Sequence, residues 1–478
     1  MIGTAELLYA GVDAGTTRIK GTLVDEEGRT LRSISVAASD VLSPYPGWQE
    51  VNVEEYYERF IMLMSELLKG YEGKRVAMGL SAMAPVLIPI ERGGRPLING
   101  ILYNDTRSEA EIRELERDLG DLVFEVNGNP VNNQQWLPKI LWLKRKMPEV
   151  YSRTWKMLDL TSYLIFRLTG KLVVDRTVAE EEGFIDYRTG KISYKILEET
   201  ETEADRLPEV RETAEIVADF AFGENRVELN AGTVDAIAAA ISLGLVKEDM
   251  FGVTLGTTGI IYYSTRYPKP ARNLYLDLSP VPGLYYPNGS TSSAGSFVDF
   301  VLEIMGFAND YTSLNRFIEE SEPCSSGVIA LPYIAGERTP ILDPRAKSVF
   351  FGISTSTRRG DILRSAVEAV AYSIRHNLDA FRSLGYFPKR VLLTGGMTKS
   401  EKTVQILADV LRTEVELRSD ASETDGDVII ARATKDGWHS SLSPGSGNTV
   451  RPDPARSEKY EECYRKYTEI YRRLRDLF

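Results

Sequence analysis

Cysteine is nearly absent from this chain: Cys324 and Cys463 are the only two in 478 residues, and they lie far apart. Two such residues supply neither a disulfide framework nor a four-cysteine zinc site, so neither is expected, and a reducing, cytoplasmic setting fits. A basic excess is missing too. The formal charge is −12 and no Lys/Arg-rich block offsets it, which excludes a broad electrostatic nucleic-acid partner and leaves a small or metal-neutralised ligand. No uninterrupted apolar stretch approaches membrane-spanning length, and no basic segment precedes the first strand-like run, so neither export nor membrane insertion is expected. No low-complexity segment stands out. What is present is 43% hydrophobic and 26% charged residues, the composition of a globular protein of two or three domains.

Strand-like and helix-like signals alternate along the chain, the pattern of α/β architecture. "LLYAGVDAG" and "KGTLVDEEGRTLRSISVA" read as strands, the latter pair turning at Glu27-Gly28. Apolar residues at helical spacing in "EEYYERFIMLMSELLKGY" predict a helix that closes at Gly70. "RVAMGLSAM" reads as a buried strand, and "SEAEIRELERDL" and "LPKILWLKRKMPEVY" as helices. The polar stretch from Tyr187 to Val217 reads as a loosely packed excursion.

The first specific clue is an internal echo. "YAGVDAGTTRIKGTLVD" near the start and "FGVTLGTTGIIYYSTRY" from Phe251 share one pattern: an apolar run, Gly-Thr-Thr, and another apolar run. A strand that turns back at Gly-Thr-Thr gathers amides and hydroxyls into a concavity suited to an anion, and two such hairpins facing each other can grip a phosphate chain. Each alone is ordinary turn chemistry. The copies differ in charge: the first carries Asp13 and Lys20 where the second has Thr254 and Ile261. A carboxylate beside phosphates needs a hard cation between them, and Mg²⁺ holding its own waters meets that need at Asp13. Lys20 is then a point charge for the phosphates.

The order Asp-x-Gly-Thr-Thr, "AGTVDAIAAA", "VTLGTTG" and "LLTGGMTKSEKTVQILAD" resembles the FGGY carbohydrate kinases, of the actin/hexokinase/heat-shock-chaperone superfamily, nearly end to end. "PKILWLKRKMPEVY", around Lys139 and Trp142, resembles the first family signature, with Trp136 and Lys146 departing from it, and "SVFFGISTSTRRGDILRSAVE" resembles the second. "LPYIAGERTP" and "YPGWQEVNVEEYY" are most similar to the xylulokinase branch. The resemblance implies an α/β fold of two ribonuclease-H-like domains, residues 1–245 and 246–478, around a nucleotide cleft. It implies ATP and Mg²⁺ as cofactors, a sugar or polyol acceptor, and compatibility with a homodimer. By the same resemblance Asp13 is the metal-associated aspartate, and Gly15, Thr16, Thr17 and Lys20 form the first phosphate segment. Gly256 and Thr257 form the second, while Gly295 and the turn Gly395, Gly396, Met397 lie against the nucleotide. Asp235 corresponds to the catalytic base. Near a helix N-terminus its ionised form is expected to be favoured, a placement that also fits an N-cap.

The acceptor region departs from the relatives. In "GLSAMAPVLIPI", Ala84 and Pro85 stand where glycerol kinases carry an arginine and a glutamate and typical xylulokinases a Met-His pair. The expected acceptor contacts are Met83, Tyr103, Asn104, Asp105, Asn133, Gln134, Gln135 and Asp235, because polyols need amide and carboxylate partners. Two function classes remain: a sugar kinase, and a nucleotide-driven switch or chaperone-like ATPase on the same superfamily fold.

Overall fold

A computed structural model describes residues 7–418, 421–438 and 447–478. The first sheet contains β1 (Leu7–Ala14), β2 (Arg18–Val24), β3 (Thr30–Ala37), β4 (Arg75–Ala82), β5 (Ile216–Phe222), β6 (Asn225–Asn230) and the short β7 (Thr233–Val234). Its order is β5-β6-β4-β1-β2-β3, with β7 beside β4. β1 runs antiparallel to β2, with Asp13 opposite Lys20, and parallel to β4, with Asp13 opposite Ser81. β1 is buried along almost its whole length, which is why its sequence runs apolar as far as Asp13 rather than alternating. Helix α1 (Val53–Leu68) covers one face. Asn52 caps it by accepting from the amides of Glu54 and Glu55, and Val53, Tyr56, Phe60, Leu63, Met64 and Leu67 bury its inner stripe.

Between β4 and β5 the chain leaves the sheet for an excursion that carries α2 (Glu109–Asn127), α3 (Trp136–Lys146) and α4 (Arg176–Glu181). The stretch from Tyr187 to Val217 is not loosely packed. Ile196, Leu197 and Leu207 are buried with Trp136, Leu137, Ile140 and Phe184 in a separate small core. The sparse apolar residues of that stretch are insufficient for a core of their own, but they complete one begun by α2 and α3. After β7 the chain enters α5 (Asp235–Leu243), which ends at Gly244 in the left-handed region.

The second sheet holds β8 (Met250–Leu255), β9 (Gly259–Ser264), β10 (Tyr275–Leu278), β11 (Tyr285–Thr291), β12 (Arg390–Thr394), β13 (Val415–Leu417) and β14 (Thr449–Val450), in the order β10-β11-β9-β8-β12-β13-β14. β8 and β9 form an antiparallel hairpin, and β8 lies parallel to β12, repeating the plan of β2-β1-β4. The repeat in the sequence is thus a repeat of topology. Helices α6 (Gly295–Ile304), α7 (Tyr311–Glu320), α8 (Arg359–Ser383), α9 (Glu401–Leu411) and α11 (Pro454–Leu474) pack around this sheet.

The two halves interlock. Helix α10 (Glu423–Asp436) belongs to the second half of the sequence but packs on β1, β4 and α5 of the first. Three glycines allow this approach. A Cβ at Gly11 would overlap the carbonyl oxygen of Thr424, one at Gly79 that of Asp427, and one at Gly426 that of Ala238. A further cluster, with Ile237, Ile241, Leu245, Met250, Tyr286, Leu392 and Ile430, fills the space between the halves.

The cysteines correct the expectation from composition. Cys324 and Cys463 form a disulfide, with their Cα atoms 6.1 Å apart, joining the segment after α7 to α11. Separation in sequence did not prevent it, because α11 returns along the second domain's core, where both residues are almost fully buried.

Candidate active site

The first Gly-Thr-Thr turn closes β1 onto β2 through a hydrogen bond from the Gly15 amide to the Arg18 carbonyl, 3.1 Å. The Tyr56 hydroxyl of α1 donates to the Gly15 carbonyl at 2.7 Å and fixes the turn. Thr16 is half-buried and Thr17 is exposed beside it. Asp13, at the end of β1, is only 2% exposed. Its Oδ2 lies 3.4 Å from Lys20 Nζ, while Oδ1 is buried with no hydrogen-bond partner. Lys20 also pairs with Glu423 of α10 at 3.0 Å, so its charge is already shared between two carboxylates. Burial, then repulsion from Glu423, pushes the Asp13 carboxyl up to about 6 against the pull of Lys20.

Asp427, on α10, sits in the same neighbourhood. Its Oδ2 accepts from the Ser81 hydroxyl at 2.8 Å, its Oδ1 is likewise buried without a partner, and burial followed by Asp13 raises its pKa. Two orphaned carboxylate oxygens, one of them on the aspartate paired with Lys20, form a donor set that suits a hard divalent cation. Among the described residues no group of three or more His, Cys, Asp or Glu side chains converges as a ready-made metal cage.

Asp235 is the first residue of α5, and the N-cap is Val234. The N-cap alternative therefore does not describe it: its Oδ1 accepts from the amide of the next residue, Ala236, at 2.6 Å and from no deeper turn. Its pKa moves opposite to the sequence expectation, up to about 7. Burial is the largest cause, repulsion from Asp13 follows, and the Ala236 amide only partly offsets them.

Asp235 opens into a cavity of about 600 Å³ that lies between the halves. The expected acceptor residues Tyr103, Asn104, Asn133, Gln134 and Gln135 all line it, as does Ala84. Two others do not. Met83 is 1% exposed in the core of the first domain, where its amide donates to the Ala14 carbonyl at 3.0 Å. Asp105 is fully buried beneath the cavity, paired at 2.8 Å with Arg107, whose guanidinium stacks over Trp48. The carboxylate side chain serves the loop that presents Tyr103 and Asn104 rather than the cavity itself. Lys139, buried on α3, donates to the Gln134 carbonyl at 3.1 Å, and burial lowers its pKa to about 7.

The second Gly-Thr-Thr turn lies between two cavities. Thr258 faces the one containing Asp235, whereas Gly256 and Thr257 line a separate cavity of about 500 Å³. Gly295, Gly396 and Met397 line that second cavity as well. Gly295 begins α6 with its amide on the Gly256 carbonyl at 2.9 Å, and a Cβ there would press on that same oxygen. Gly395 lies beneath rather than in the wall. Its φ of 103° is open to glycine, and a side chain would meet the backbone of Leu255.

Several lining residues were not singled out in the sequence. Glu181, Asp277, Asn129, Asn288, Tyr262 and Arg338 belong to the first cavity, Tyr311 and Asn315 to the second. Arg338 lies within "GERTP", and Glu181 within the acidic run "AEEEG". The run looks like a solvated helix face, yet Glu180 and Glu182 are buried.

Two duplicated α/β domains, a cavity holding a helix-end aspartate and a second cavity sharing its Gly-Thr-Thr wall define a phosphotransferase of the two-domain sugar-kinase class. Residues 8–241 match the N-terminal domain and residues 252–432 the C-terminal domain of the FGGY family of carbohydrate kinases, and the chain belongs to that family. It is 27% identical over 488 residues to the xylulose kinase of Lactococcus lactis subsp. lactis, covering 98% of this chain and 97% of that one. The gluconokinase of Bacillus subtilis is 24% identical, over 85% of this chain and 83% of its own. The structure of xylulose kinase from Rhodospirillum rubrum superposes with a TM-score of 0.91 at 26% identity, covering 98% and 99% of the two chains. The protein is therefore a carbohydrate kinase with a small sugar-type substrate, and the family implies ATP as donor. Among the described residues no helix is long and apolar enough to cross a membrane.

Proposed function

We propose that the protein transfers the γ-phosphoryl group of ATP to a hydroxyl of a xylulose-like ketose or a related polyol or aldonate, with Asp235 as general base. The observation that carries this reading is the position of residues 256–258: one turn faces the 500 Å³ cavity through Gly256 and Thr257 and the Asp235 cavity through Thr258. A nucleotide with its base beside Gly295, Gly396 and Met397 presents its terminal phosphate at that shared wall. The acceptor lies beyond the wall with a hydroxyl at Asp235. Phosphoryl transfer needs little more from the protein than alignment, charge neutralisation and an acceptor for one proton. A carboxylate with a pKa near 7 is poised to take that proton at neutral pH. A switch would have no use for a base opening into a polar cavity of this size.

Asp13, with Asp427 behind it, would hold Mg²⁺. The ion supplies neutralisation of phosphate charge when bound. Asp13 keeps one oxygen free for it and the other on Lys20, which in turn restrains Glu423. Ala84 and Pro85 leave the cavity without the charged pair that grips glycerol in related kinases, so glycerol is a poor acceptor in this reading.

A coupled assay of ATP consumption against ketopentoses, alditols, aldonates and glycerol, with and without Mg²⁺, tests the proposal. The best ketose or longer polyol should exceed glycerol at least tenfold in kcat/KM, ~1.4 kcal/mol of transition-state discrimination. Chelation of Mg²⁺ should abolish turnover, and Asp13→Ala should lower kcat severely at saturating nucleotide. Equal use of glycerol would refute the acceptor assignment, and near-native turnover by the Asp13 variant would refute the metal assignment.

A further inference from the structure

The cavity around Asp235 contains two more carboxylates that phosphoryl transfer does not require. Glu181 is the last residue of α4, and Asp277 lies on β10, in the other half of the molecule. The network behind them is built with care. Asp175 caps α4 by accepting from the amides of Thr177 and Val178. Glu180 accepts from Asn127 and from Asn129 Nδ2 at 2.9 Å, and Asn129 also donates to the Leu276 carbonyl at 2.8 Å and accepts from the Leu276 amide at 2.9 Å. This ties the end of α4 to β10 next to Asp277. Asn288 and Tyr262 lie beside Asp277 and favour its charged form against burial. Among the described residues no hydrogen bond or ion pair reaches the Glu181 carboxylate, so it enters the cavity unpartnered while its neighbours are held.

We propose that Glu181 and Asp277 are specificity-determining residues of the acceptor site: they accept hydrogen bonds from hydroxyls of an uncharged ketose or alditol longer than three carbons, and they turn anionic aldonates away. The inference rests on the sugar-kinase reading above and narrows its acceptor class. Three features support it. First, carboxylate oxygens are pure acceptors when ionised, and each chain hydroxyl brings a donor to them. Second, the amides of Asn288 and Asn133 line the same space and can answer the lone pairs of those hydroxyls, so a neutral polyol satisfies both kinds of group. Third, the charge in the cavity is unbalanced. Asp235, Glu181 and Asp277 face one guanidinium, Arg338, which donates to the Thr291 carbonyl at 2.8 Å and stands next to buried Glu337. Adding an acceptor carboxylate to this low-dielectric site opposes ionisation of all three, including Asp235, whose charged form is needed to take up the proton. Burial and mutual repulsion already raise the pKa of Glu181, and burial that of Asp277, consistent with a site that resists further negative charge.

The test compares the wild type with Glu181→Gln and Asp277→Asn, variants that preserve shape, using D-xylulose and xylitol against D-gluconate and D-xylonate. Two readouts are taken: kcat and KM from ATP consumption, and acceptor affinity by calorimetry without nucleotide. The wild type should prefer the neutral compounds at least tenfold. Each variant should raise KM and Kd for the neutral acceptors fivefold or more with a smaller change in kcat, and should narrow the gap to the aldonates. An aldonate as best acceptor, bound through Arg338, would overturn the inference, as would unchanged neutral-acceptor affinity in both variants. If no acceptor stimulates ATP consumption, the kinase reading of the site fails, while the calorimetric preference still decides the inference. A thermal midpoint for each variant separates lost contacts from lost folding; should one variant not fold, the other carries the decision.

Discussion

Asp235→Asn separates catalysis from stability. Asparagine keeps the shape of the side chain and its bond to the Ala236 amide, but it cannot take up the acceptor proton. The expected fall in kcat is roughly 10²–10⁴-fold, the usual worth of a general base. Nucleotide affinity should hardly change, because the cavity proposed for the nucleotide is walled by Gly256, Thr257, Gly295, Gly396 and Met397 rather than by Asp235. The second consequence comes from the pKa. A shift from 3.8 to about 7 means that the folded protein binds a proton more tightly than the unfolded chain does. Stability from this group is fully present below pH 3.8 and is lost as pH rises through 7. In full, the shift corresponds to about 4 kcal/mol of destabilisation above pH 8, and water in the open cavity screens it to about 1–2 kcal/mol. Removing the charge should therefore raise the thermal midpoint at pH 8 by roughly 1–2 °C and leave it nearly unchanged at pH 4. The wild-type kcat should show an acid limb with a midpoint near 7, where the base becomes ionised. The assays are steady-state turnover across pH, ATP binding by calorimetry, and thermal melts at both pH values. Near-native kcat in the variant would remove Asp235 from the mechanism and restore the switch-like alternative. A variant less stable at pH 8 than the wild type would refute the electrostatic account of the site.

Two further perturbations address the scaffold. Reduction of the Cys324–Cys463 bond, or Cys463→Ser, should lower the thermal midpoint: closing a loop of 139 residues is worth up to ~5 kcal/mol in the chain-entropy account, and an unchanged melt under reductant would mean that the bond contributes nothing in solution. Gly426→Ala should yield insoluble or strongly destabilised protein, since its Cβ would overlap the Ala238 carbonyl, whereas Gly396→Ala, with open space around the new Cβ, should fold normally; equal melts for the two would disprove the close approach of α10.

The parts of this architecture legible in the sequence were those with a local signature. The two Gly-Thr-Thr hairpins, the stripe of α1 and the Gly-Gly turn after β12 each announce themselves within a dozen residues. The aspartate ahead of "AIAAA" was legible as a helix-end group, but the sign of its pKa shift was not, because that sign depends on burial and on Asp13, more than two hundred residues away. Met83 and Asp105 illustrate the converse. Their residue types suit an acceptor site, yet the direction of a side chain from a strand end or loop is set by packing: Met83 turns into the core, and Asp105 turns beneath the cavity to Arg107. Glu181 and Asp277 were invisible because α4 and β10, distant in sequence, are brought side by side only by the fold, with Asn129 bonded to both. The disulfide was misjudged for the same reason.

The interlock of α10 with the first sheet also sets a timetable for synthesis. β1, β4 and α5 emerge early, but the helix that covers them follows roughly 180 residues after α5 ends, a delay of about 10–40 s at ordinary translation rates. During that interval Gly11 and Gly79 line an uncovered groove on a sheet that is otherwise ready to fold. The nascent chain thus exposes an apolar, strand-rich surface until nearly the whole protein has left the ribosome. A nascent-chain holdase has its longest opportunity there, and a message truncated between α5 and α10 encodes a first sheet whose α10 face has nothing to cover it.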